Sequence, residues 1–148
     1  MNKPRILITN DDGIHSKGIY ALWQAMSELG DTLVVAPENE QSAKSHSITI
    51  NDPLRVQEIE RENGFKGYAV SGTPADCAKI AIRSLMIHQP DILISGINQG
   101  ANLGTNLIYS GTVSAAAEGA MLGISSIAIS LASFKSDDYG AVKKVATD

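Results

Sequence analysis

Short runs of consecutive apolar residues alternate along this chain with longer stretches in which apolar residues recur every three or four positions. The first pattern is typical of strands buried on both faces of a sheet, and the second of helices that pack on it. Five segments have the strand pattern: residues 6–9, 32–36, 68–70, 91–95 and 126–131. Three have the helix pattern: residues 18–29, 73–85 and 112–122. This alternation predicts an α/β fold, a three-layer α/β/α sandwich around a doubly wound, mainly parallel, Rossmann-like sheet.

One region interrupts this alternation. Between residues 38 and 70 the chain carries a polar stretch and then two runs of alternating hydrophobicity, residues 46–50 and 54–59, separated by Asn-Asp-Pro at 51–53. Two alternating runs joined by turn-forming residues are typical of a β-hairpin. The pattern therefore predicts a hairpin excursion from the main sheet.

Polar and glycine residues mark where several helices begin. Thr73, Pro74 and Asp76 suit the N-cap, N1 and N3 positions of a helix. Asp137 or Asp138 is predicted to cap a last helix that runs to the end of the chain, and residues 96–110 are predicted to be a glycine- and asparagine-rich loop.

Length and composition narrow the class of protein. With 148 residues, 43% of them hydrophobic, residues 1–148 are expected to form a single domain. The net charge of -4 and the scattered lysines and arginines argue against binding to a DNA or RNA polymer. The single cysteine, Cys77, excludes an intramolecular disulfide, and the apolar runs are too short for a secretory signal or a membrane span. The protein is expected to be cytoplasmic and not membrane-bound.

An acidic cluster follows the first predicted strand, where Asn10-Asp11-Asp12-Gly13 replaces the Gly-x-Gly-x-x-Gly turn of dinucleotide-binding folds. Two adjacent carboxylates repel each other and would repel a phosphate. A hard cation such as Mg²⁺ or Mn²⁺ removes this conflict, because it takes carboxylate and neutral oxygen ligands and bridges to phosphate. The alternative for this cluster alone is a turn in which Asn and Asp cap the next segment.

Further polar loops follow the other predicted strands. Each of them alone is explained by an ordinary solvated loop or helix cap. Together they lie at the carboxyl ends of parallel strands, where the ligands of open α/β sheets bind, so they predict one cleft for metal and phosphate. The loops are residues 37–47, 71–74, 95–102 and 109–114.

At these residues the sequence resembles the survival protein SurE family, whose members are metal-dependent 5'/3'-nucleotidases. The matching segments occur in order along nearly the whole chain: residues 8–13, 36–37 with 41–42, 71–77, 95–98 and 109–116. The resemblance implies one divalent cation, Mg²⁺ or Mn²⁺, with the ligands Asp11, Asp12, Ser42 and Asn98. It also implies a phosphate site formed by Asn10, Ser110, Gly111 and Thr112.

The same resemblance implies an activity and an assembly. Family members hydrolyse nucleoside 5'- and 3'-monophosphates, sometimes polyphosphate, as cytoplasmic homo-oligomers, dimers or tetramers. Family chains usually continue beyond the equivalent of Asp148, with a C-terminal part that helps form the oligomer and closes over the active site. Residues 1–148 are therefore expected to be the Rossmann-like metal- and phosphate-binding domain without that C-terminal extension.

Three functions remain open on the residues alone. In the first, Asp11 or Asp12 accepts a proton from a water that attacks phosphorus in line, and His15 or His46 is a conceivable leaving-group acid. The second is a phosphoryl-receiver signalling module, which also places an acidic pair after its first strand but needs a phosphoacceptor Asp at a later strand end. Glu38 and Asn98 lie near those positions, and no Asp does. The third is an inactive metal-binding fragment.

Overall fold

The computed structural model describes residues 3–41, 45–61, 63–136 and 138–148. Its centre is a six-stranded sheet in the order β3-β4-β2-β1-β5-β6, parallel except for the antiparallel pair β3 and β4. The strands are β1 Arg5–Thr9, β2 Asp31–Pro37, β3 Val56–Glu60, β4 Lys66–Val70, β5 Ile92–Gln99 and β6 Ser125–Leu131. The predicted mainly parallel α/β sheet is confirmed.

Helices cover both faces of the sheet. They are α1 Lys17–Ser27, α2 Pro74–Ile80, α3 Gly111–Met121 and α4 Gly140–Thr147. A π-helical turn, Ala81–Leu85, continues α2, and a 3₁₀ helix, Gly104–Tyr109, precedes α3. The helices α1 and α4 pack together on one face, and α2 and α3 pack together on the other. None of the helices in the described ranges combines the length and the apolar character needed to cross a membrane.

The alternation of side chains along β1 divides the core into two layers. Ile6 and Ile8 join the cluster under α1, which also contains Leu22 and Met26, whereas Leu7 joins the cluster under α2 and α3. All five side chains are at most 3% exposed. Burying each of these side chains contributes about 1.5–3 kcal/mol to the stability of the fold. Because β1 packs on both faces, the position at which the following loop begins is fixed.

Helix caps confirm two of the predicted boundaries. Thr73 Oγ1 accepts a hydrogen bond from the Asp76 amide at 3.1 Å, and Asp76 Oδ2 accepts one from the Thr73 amide at 2.9 Å. This is the reciprocal capping box, with Pro74 in the first turn of α2. The prediction for α4 is wrong in detail, because its N-cap is Tyr139. Asp138 Oδ1 accepts the amide of the first helical residue, and Asp137 lies outside the described residues.

The predicted hairpin exists, but its strands were placed wrongly. It joins β3 to β4, whereas residues 45–50 form no strand. Two backbone groups of that segment bond to side chains and not to a neighbouring strand. The Thr49 amide donates to Asp76 Oδ1 at 3.0 Å, and the Thr73 hydroxyl donates to the Ser47 carbonyl at 2.6 Å. The alternating pattern of residues 46–50 therefore reflects a segment packed on α2 through specific polar contacts.

The predicted loop at residues 96–110 is also wrong in its first part. The strand β5 continues to Gln99, and its pairing with β6 shifts register between Ser95 and Asn98. Gly96 permits this irregularity, because a Cβ at that position would lie 2.4 Å from the carbonyl oxygen of Ile129 on β6. Asn98 and Gln99 are consequently carried by the sheet, in register with Ser130 and Leu131.

Candidate metal and phosphate site

A cavity of about 500 Å³ opens at the carboxyl ends of β1 and β5, beside the start of α3. This is the edge at which parallel α/β sheets bind ligands. Four of the residues predicted for the site line it together: Asp11, Asp12, Asn98 and Ser110. The other lining residues are Glu40, Gln99, Gly100, Ala101, Asn102, Asn106, Tyr109 and Phe134.

The loop after β1, residues 10–16, here called the acidic loop, is fixed by its own side chains. Asn10 is fully buried and its side chain forms three hydrogen bonds. Asn10 Oδ1 accepts the Gly13 amide at 3.1 Å, and Asn10 Nδ2 donates to the Gly13 carbonyl at 3.0 Å and to Ser16 Oγ at 2.8 Å. Asn10 therefore shapes the turn that presents the two aspartates, and it is absent from the cavity lining.

Two backbone contacts tie the acidic loop to the chain that follows β2. The Gln41 amide donates to the Asp11 carbonyl at 2.7 Å, and the Ile14 amide donates to the Pro37 carbonyl at 2.9 Å. The ends of β1 and β2 are thereby joined above the sheet, which limits how far Asp11 can move.

Arg61 holds the acidic loop from the outside. Its Nη2 donates to the Ile14 carbonyl at 2.9 Å and lies 3.3 Å from His15 Nδ1. The guanidinium carbon lies 4.8 Å from the centre of the Phe65 ring and 5.6 Å from that of Tyr20. The turn between β3 and β4 is thus attached to the loop that carries the acidic pair.

Asp11 is the more deeply buried of the two acids, with 6% of its surface exposed. Its burial raises the pKa of the carboxyl, while the hydrogen bond from Thr112 opposes that rise. The Thr112 hydroxyl donates to Asp11 Oδ1 at 2.5 Å. A Cβ at Gly111 would lie 2.6 Å from Asp11 Cβ, so glycine is required for α3 to approach this closely.

Asp12 is half-buried beside Asp11. Its burial, followed by the charge of Asp11, raises the pKa of Asp12 to about 6, and Glu40 adds to the rise. A backbone amide, that of Gln99, contacts Asp12 Oδ2 at 3.4 Å and acts in the opposite direction. The two carboxylates therefore carry more negative charge than the surrounding protein groups compensate.

Asn98, a further predicted ligand with a neutral side-chain oxygen, lines the same cavity as the two carboxylates. Its Nδ2 donates to the Gly100 carbonyl at 2.8 Å, which fixes the plane of the amide. Within the described ranges, no three His, Cys, Asp or Glu side chains come together as a metal cluster. The donor set is instead two carboxylates and an amide oxygen, the hard oxygen chemistry that suits Mg²⁺ or Mn²⁺.

The start of α3 supports the acidic pair. Ser110 is the N-cap, and its Oγ accepts the Val113 amide at 3.2 Å. Thr112 is fully buried and is used as a donor to Asp11, and Gly111 lies against the same side chain. The contacts of Asn10, Ser110, Gly111 and Thr112 with phosphate stay predictions, since the contacts observed are those within the protein.

The predicted ligand Ser42 lies outside the described residues. Within the described residues, His46 contacts α3, because its Nε2 lies 2.8 Å from Glu118 Oε2. Neither His46 nor His15 is among the residues that line the cavity. The loop at residues 71–74 serves as the cap of α2, the alternative weighed from its sequence.

Sequence reasoning missed two residues of the cavity, Asn106 and Phe134. Asn106 lies between the polar loops at residues 95–102 and 109–114 that were predicted to line the cleft. Phe134 carries no periodic signal and follows the last strand in a short polar stretch. An apolar aromatic residue between Ser133 and Lys135, just after a strand end, is the signal that could have indicated it.

Comparison with known proteins shows which family this chain resembles. The family model described as Survival protein SurE matches residues 6–148. The 5'-nucleotidase SurE of Syntrophobacter fumaroxidans is 56% identical over 138 residues, which are 93% of this chain and 55% of that protein. The 5'-nucleotidase SurE of Chlorobium limicola is 49% identical over 146 residues, 99% of this chain and 57% of that protein.

A solved structure leads to the same family. The SurE protein of Aquifex aeolicus superposes with a TM-score of 0.88 at 43% sequence identity, covering 98% of this chain and 58% of that one. The chain thus spans about half the length of the relatives it matches. Because the family model covers nearly every residue and the fold agrees with that of a solved member, this chain belongs to the SurE family.

Proposed function

We propose that this chain forms the metal- and phosphate-binding domain of a divalent-metal-dependent phosphomonoesterase that hydrolyses nucleoside monophosphates to nucleoside and phosphate. The observation that carries the proposal is the adjacent, partly desolvated pair Asp11 and Asp12 in a cavity at the carboxyl ends of the strands. The names of the relatives, each a 5'-nucleotidase SurE, supply the substrate class.

The residues of the cavity fit a divalent cation. Burial disfavours the charged forms of both Asp11 and Asp12, the charge of Asp11 adds to this at Asp12, and Glu40 adds to it at both; a bound cation would oppose these effects. Asp11, Asp12 and Asn98 would hold the cation, with Ser42 as a further proposed ligand. When bound, the cation supplies Lewis acidity toward a phosphate oxygen and lowers the pKa of water.

The protein groups then have distinct tasks. Thr112 and Gly111 keep Asp11 in place, and the Gln99 amide steadies Asp12. Asp12 is the acid with the more accessible carboxylate and is the proposed proton acceptor for an attacking water. Ser110, with the amides of the first turn of α3, is the proposed neighbour of the phosphate.

The finer features of the function belong to the same proposal. We infer hydrolysis at both the 5' and the 3' position, activity on polyphosphate, a cytoplasmic location and a homo-oligomeric full-length protein, with no DNA or RNA polymer as partner. Support for these comes from membership of the family and from the acidic, scattered charge of the chain. Residues 1–148 are proposed to act as one domain, since both core layers share the same sheet.

Release of phosphate from nucleoside monophosphates tests the proposal. The assay compares Mg²⁺, Mn²⁺ and EDTA on this chain, on a version extended at its C-terminus to the length of the relatives, and on both carrying Asp11→Asn. Release that needs the metal and is lost in Asp11→Asn supports the proposal. A matched control, Asp52→Asn, changes an exposed acid away from the cavity and is expected to keep full activity. Absence of release from every version, with folding intact, would contradict it.

A further inference from the structure

An exposed aromatic ring stands at the rim of the cavity. Phe134 lines it together with the acidic pair, yet 79% of its surface is exposed to solvent. Tyr109, which is 58% exposed, lines the same cavity immediately before the Ser110 cap of α3. Large exposed rings beside a ligand cavity are unfavourable in water and are typical of surfaces that contact another molecule.

Hydrogen bonds hold the segment that carries Phe134. Gln99 Nε2 donates to the carbonyls of Phe134 and Ser136, both at 3.3 Å. Ser133 Oγ accepts the amides of Lys135 at 3.2 Å and Ser136 at 3.1 Å. The ring is therefore kept at the rim by a defined turn and not by burial of its own surface.

The Phe134 ring also packs directly on the backbone of Gly100. A Cβ at Gly100 would lie 2.3 Å from Phe134 Cε1 and 2.6 Å from Cζ, so the ring rests on the glycine backbone. Gly100 has a φ of +110°, a conformation that other residues rarely adopt. Any side chain at this position would displace the ring, which links Gly100 to the placement of Phe134.

Gln99 connects the Phe134 segment to the acidic pair. Gln99 contacts Asp12 through its backbone amide and the Phe134 segment through its side chain. One residue thus sets the distance between the acidic pair and the ring. The cavity of about 500 Å³ has the size of a small-molecule site, so a ligand with its phosphate beside Ser110 would place its other end toward the rim.

We infer that Phe134, seated on Gly100, stacks on the nucleobase of the substrate and selects nucleoside monophosphates over phosphomonoesters that lack an aromatic ring. This inference rests on the proposed function. Stacking uses the face that every base possesses and reads none of its hydrogen-bonding groups. The ring therefore provides affinity for nucleotides as a class, with little discrimination among adenine, guanine, cytosine and uracil.

Steady-state kinetics with two substrates test this inference. In Mn²⁺, Phe134→Ala is expected to raise KM for adenosine 5'-monophosphate about tenfold, since base stacking on aromatic side chains has about this effect, with kcat little changed. KM for ribose 5-phosphate, which has no base, should change by less than about twofold. Phe134→Trp should preserve the selectivity. Leu103→Ala removes another exposed apolar side chain that does not line the cavity and serves as the matched control.

A binding measurement without turnover completes the test. In saturation-transfer NMR with metal-free protein, irradiation of the protein should transfer to the base protons of adenosine, and Phe134→Ala should lose most of that transfer while Leu103→Ala keeps it. An equal rise of KM for both substrates, or adenosine transfer unchanged by Phe134→Ala, would overturn the inference and leave the proposed function intact. Absence of phosphate release from every variant would instead count against the proposed function, and the NMR result alone would then decide the inference.

Discussion

The acidic loop and the rim of the cavity are built in opposite ways. In the acidic loop, residues 10–16, Asn10 is fully buried and bonded at each polar atom of its amide, and Asp11 is nearly as buried. At the rim, here defined as residues 100–109 and 132–136, the residues of the 3₁₀ helix are exposed and Phe134 is 79% exposed. One region is held by burial, and the other is left accessible beside it.

The difference follows from what each region has to contact. Two neighbouring carboxylates repel each other, so their positions persist only if surrounding groups fix them. Asp11 is fixed by Thr112, by the close approach of Gly111 and by the Gln41 amide. At the rim, only the rings of Tyr109 and Phe134 are proposed to contact the part of a ligand that varies, and exposed rings on a bonded turn suffice for that. The predictions below test whether the two regions differ in this way.

The largest effect is expected from paired glycine substitutions. Gly111→Ala places a Cβ 2.6 Å from Asp11 Cβ and must displace the aspartate, so Mn²⁺ affinity should fall about a hundredfold or more. Gly104→Ala at the rim meets no atom within 4 Å, and the strain of an alanine at its φ of +58° is local to the rim, so Mn²⁺ affinity should change by less than about twofold. Calorimetric titration of both variants with Mn²⁺ makes the comparison. Equal losses would mean that the regions are equally constrained.

A paired threonine substitution sharpens the same comparison. Thr112→Val keeps the shape of a fully buried side chain and removes the hydroxyl that donates to Asp11, so Mn²⁺ affinity should fall about 10–100-fold. Thr105→Val on the exposed 3₁₀ helix is the control and should leave affinity unchanged. The readout is the Mn²⁺ signal in electron paramagnetic resonance, which reports free ion directly. Unchanged affinity in Thr112→Val would show that Asp11 is placed without this hydroxyl.

Acid should weaken metal binding, because a cation needs the deprotonated form of Asp12. With a pKa of about 6, Asp12 becomes protonated below that pH, and Mn²⁺ affinity should fall about tenfold per pH unit there. The raised pKa also means that the metal-free folded state binds the proton more tightly than the unfolded state does. The free energy of unfolding should therefore decrease as pH rises from about 4 to about 6.

The variant Asp12→Asn separates this effect from the rest of the protein. It should remove that part of the pH dependence from metal-free unfolding curves and make the metal-free protein more stable than the parent above about pH 6. A pH profile that Asp12→Asn leaves unaltered would assign the titration to another group.

The smallest effect is expected for Arg61, which acts on the acidic loop through the Ile14 carbonyl. Arg61→Ala should destabilise the protein by about 1–3 kcal/mol through the lost charged hydrogen bond and weaken Mn²⁺ binding a few-fold. Arg61→Lys should recover only part of the lost stability and only part of the lost Mn²⁺ affinity. Arg55→Ala is the matched control, since Arg55 forms a 3.9 Å surface ion pair with Glu38. Loss of stability without any change in Mn²⁺ affinity would limit Arg61 to a structural role.

Much of the fold could be predicted because its signals are local. The runs of β1 and β2 and the face of α1 follow directly from buried side chains, and the cap of α2 follows from Thr73, Pro74 and Asp76. The apolar run of β6 also predicted its strand, although β6 lies at the edge of the sheet and has no fully buried residue. The hairpin could not be placed, because the segment at residues 45–50 bonds to Asp76 and Glu118 far away in sequence. Contacts between residues that are far apart in sequence do not appear in the hydrophobic periodicity of a segment.

The site divides in the same way. Asp11 and Asp12 were predicted from their place after the first strand, and Asn98 and Ser110 from their polar loops together with the resemblance to the SurE family; the structure brings all four to one cavity. The support that fixes them was not predicted, because Arg61 and Thr112 act through tertiary contacts. The glycine-rich stretch was interpreted as a loop, although β6 pairs with it up to Gln99. That error concealed how Gln99 connects Asp12 to Phe134.

The central claim is that Asp11, Asp12 and Asn98 hold one divalent cation. Crystals grown with MnCl₂ and measured for anomalous scattering of manganese test it most directly. The account predicts a single strong peak within coordination distance of oxygen atoms from all three side chains, absent in crystals of Asp11→Asn. An empty cavity at Mn²⁺ concentrations that support phosphate release, or a peak held by other residues, would contradict it.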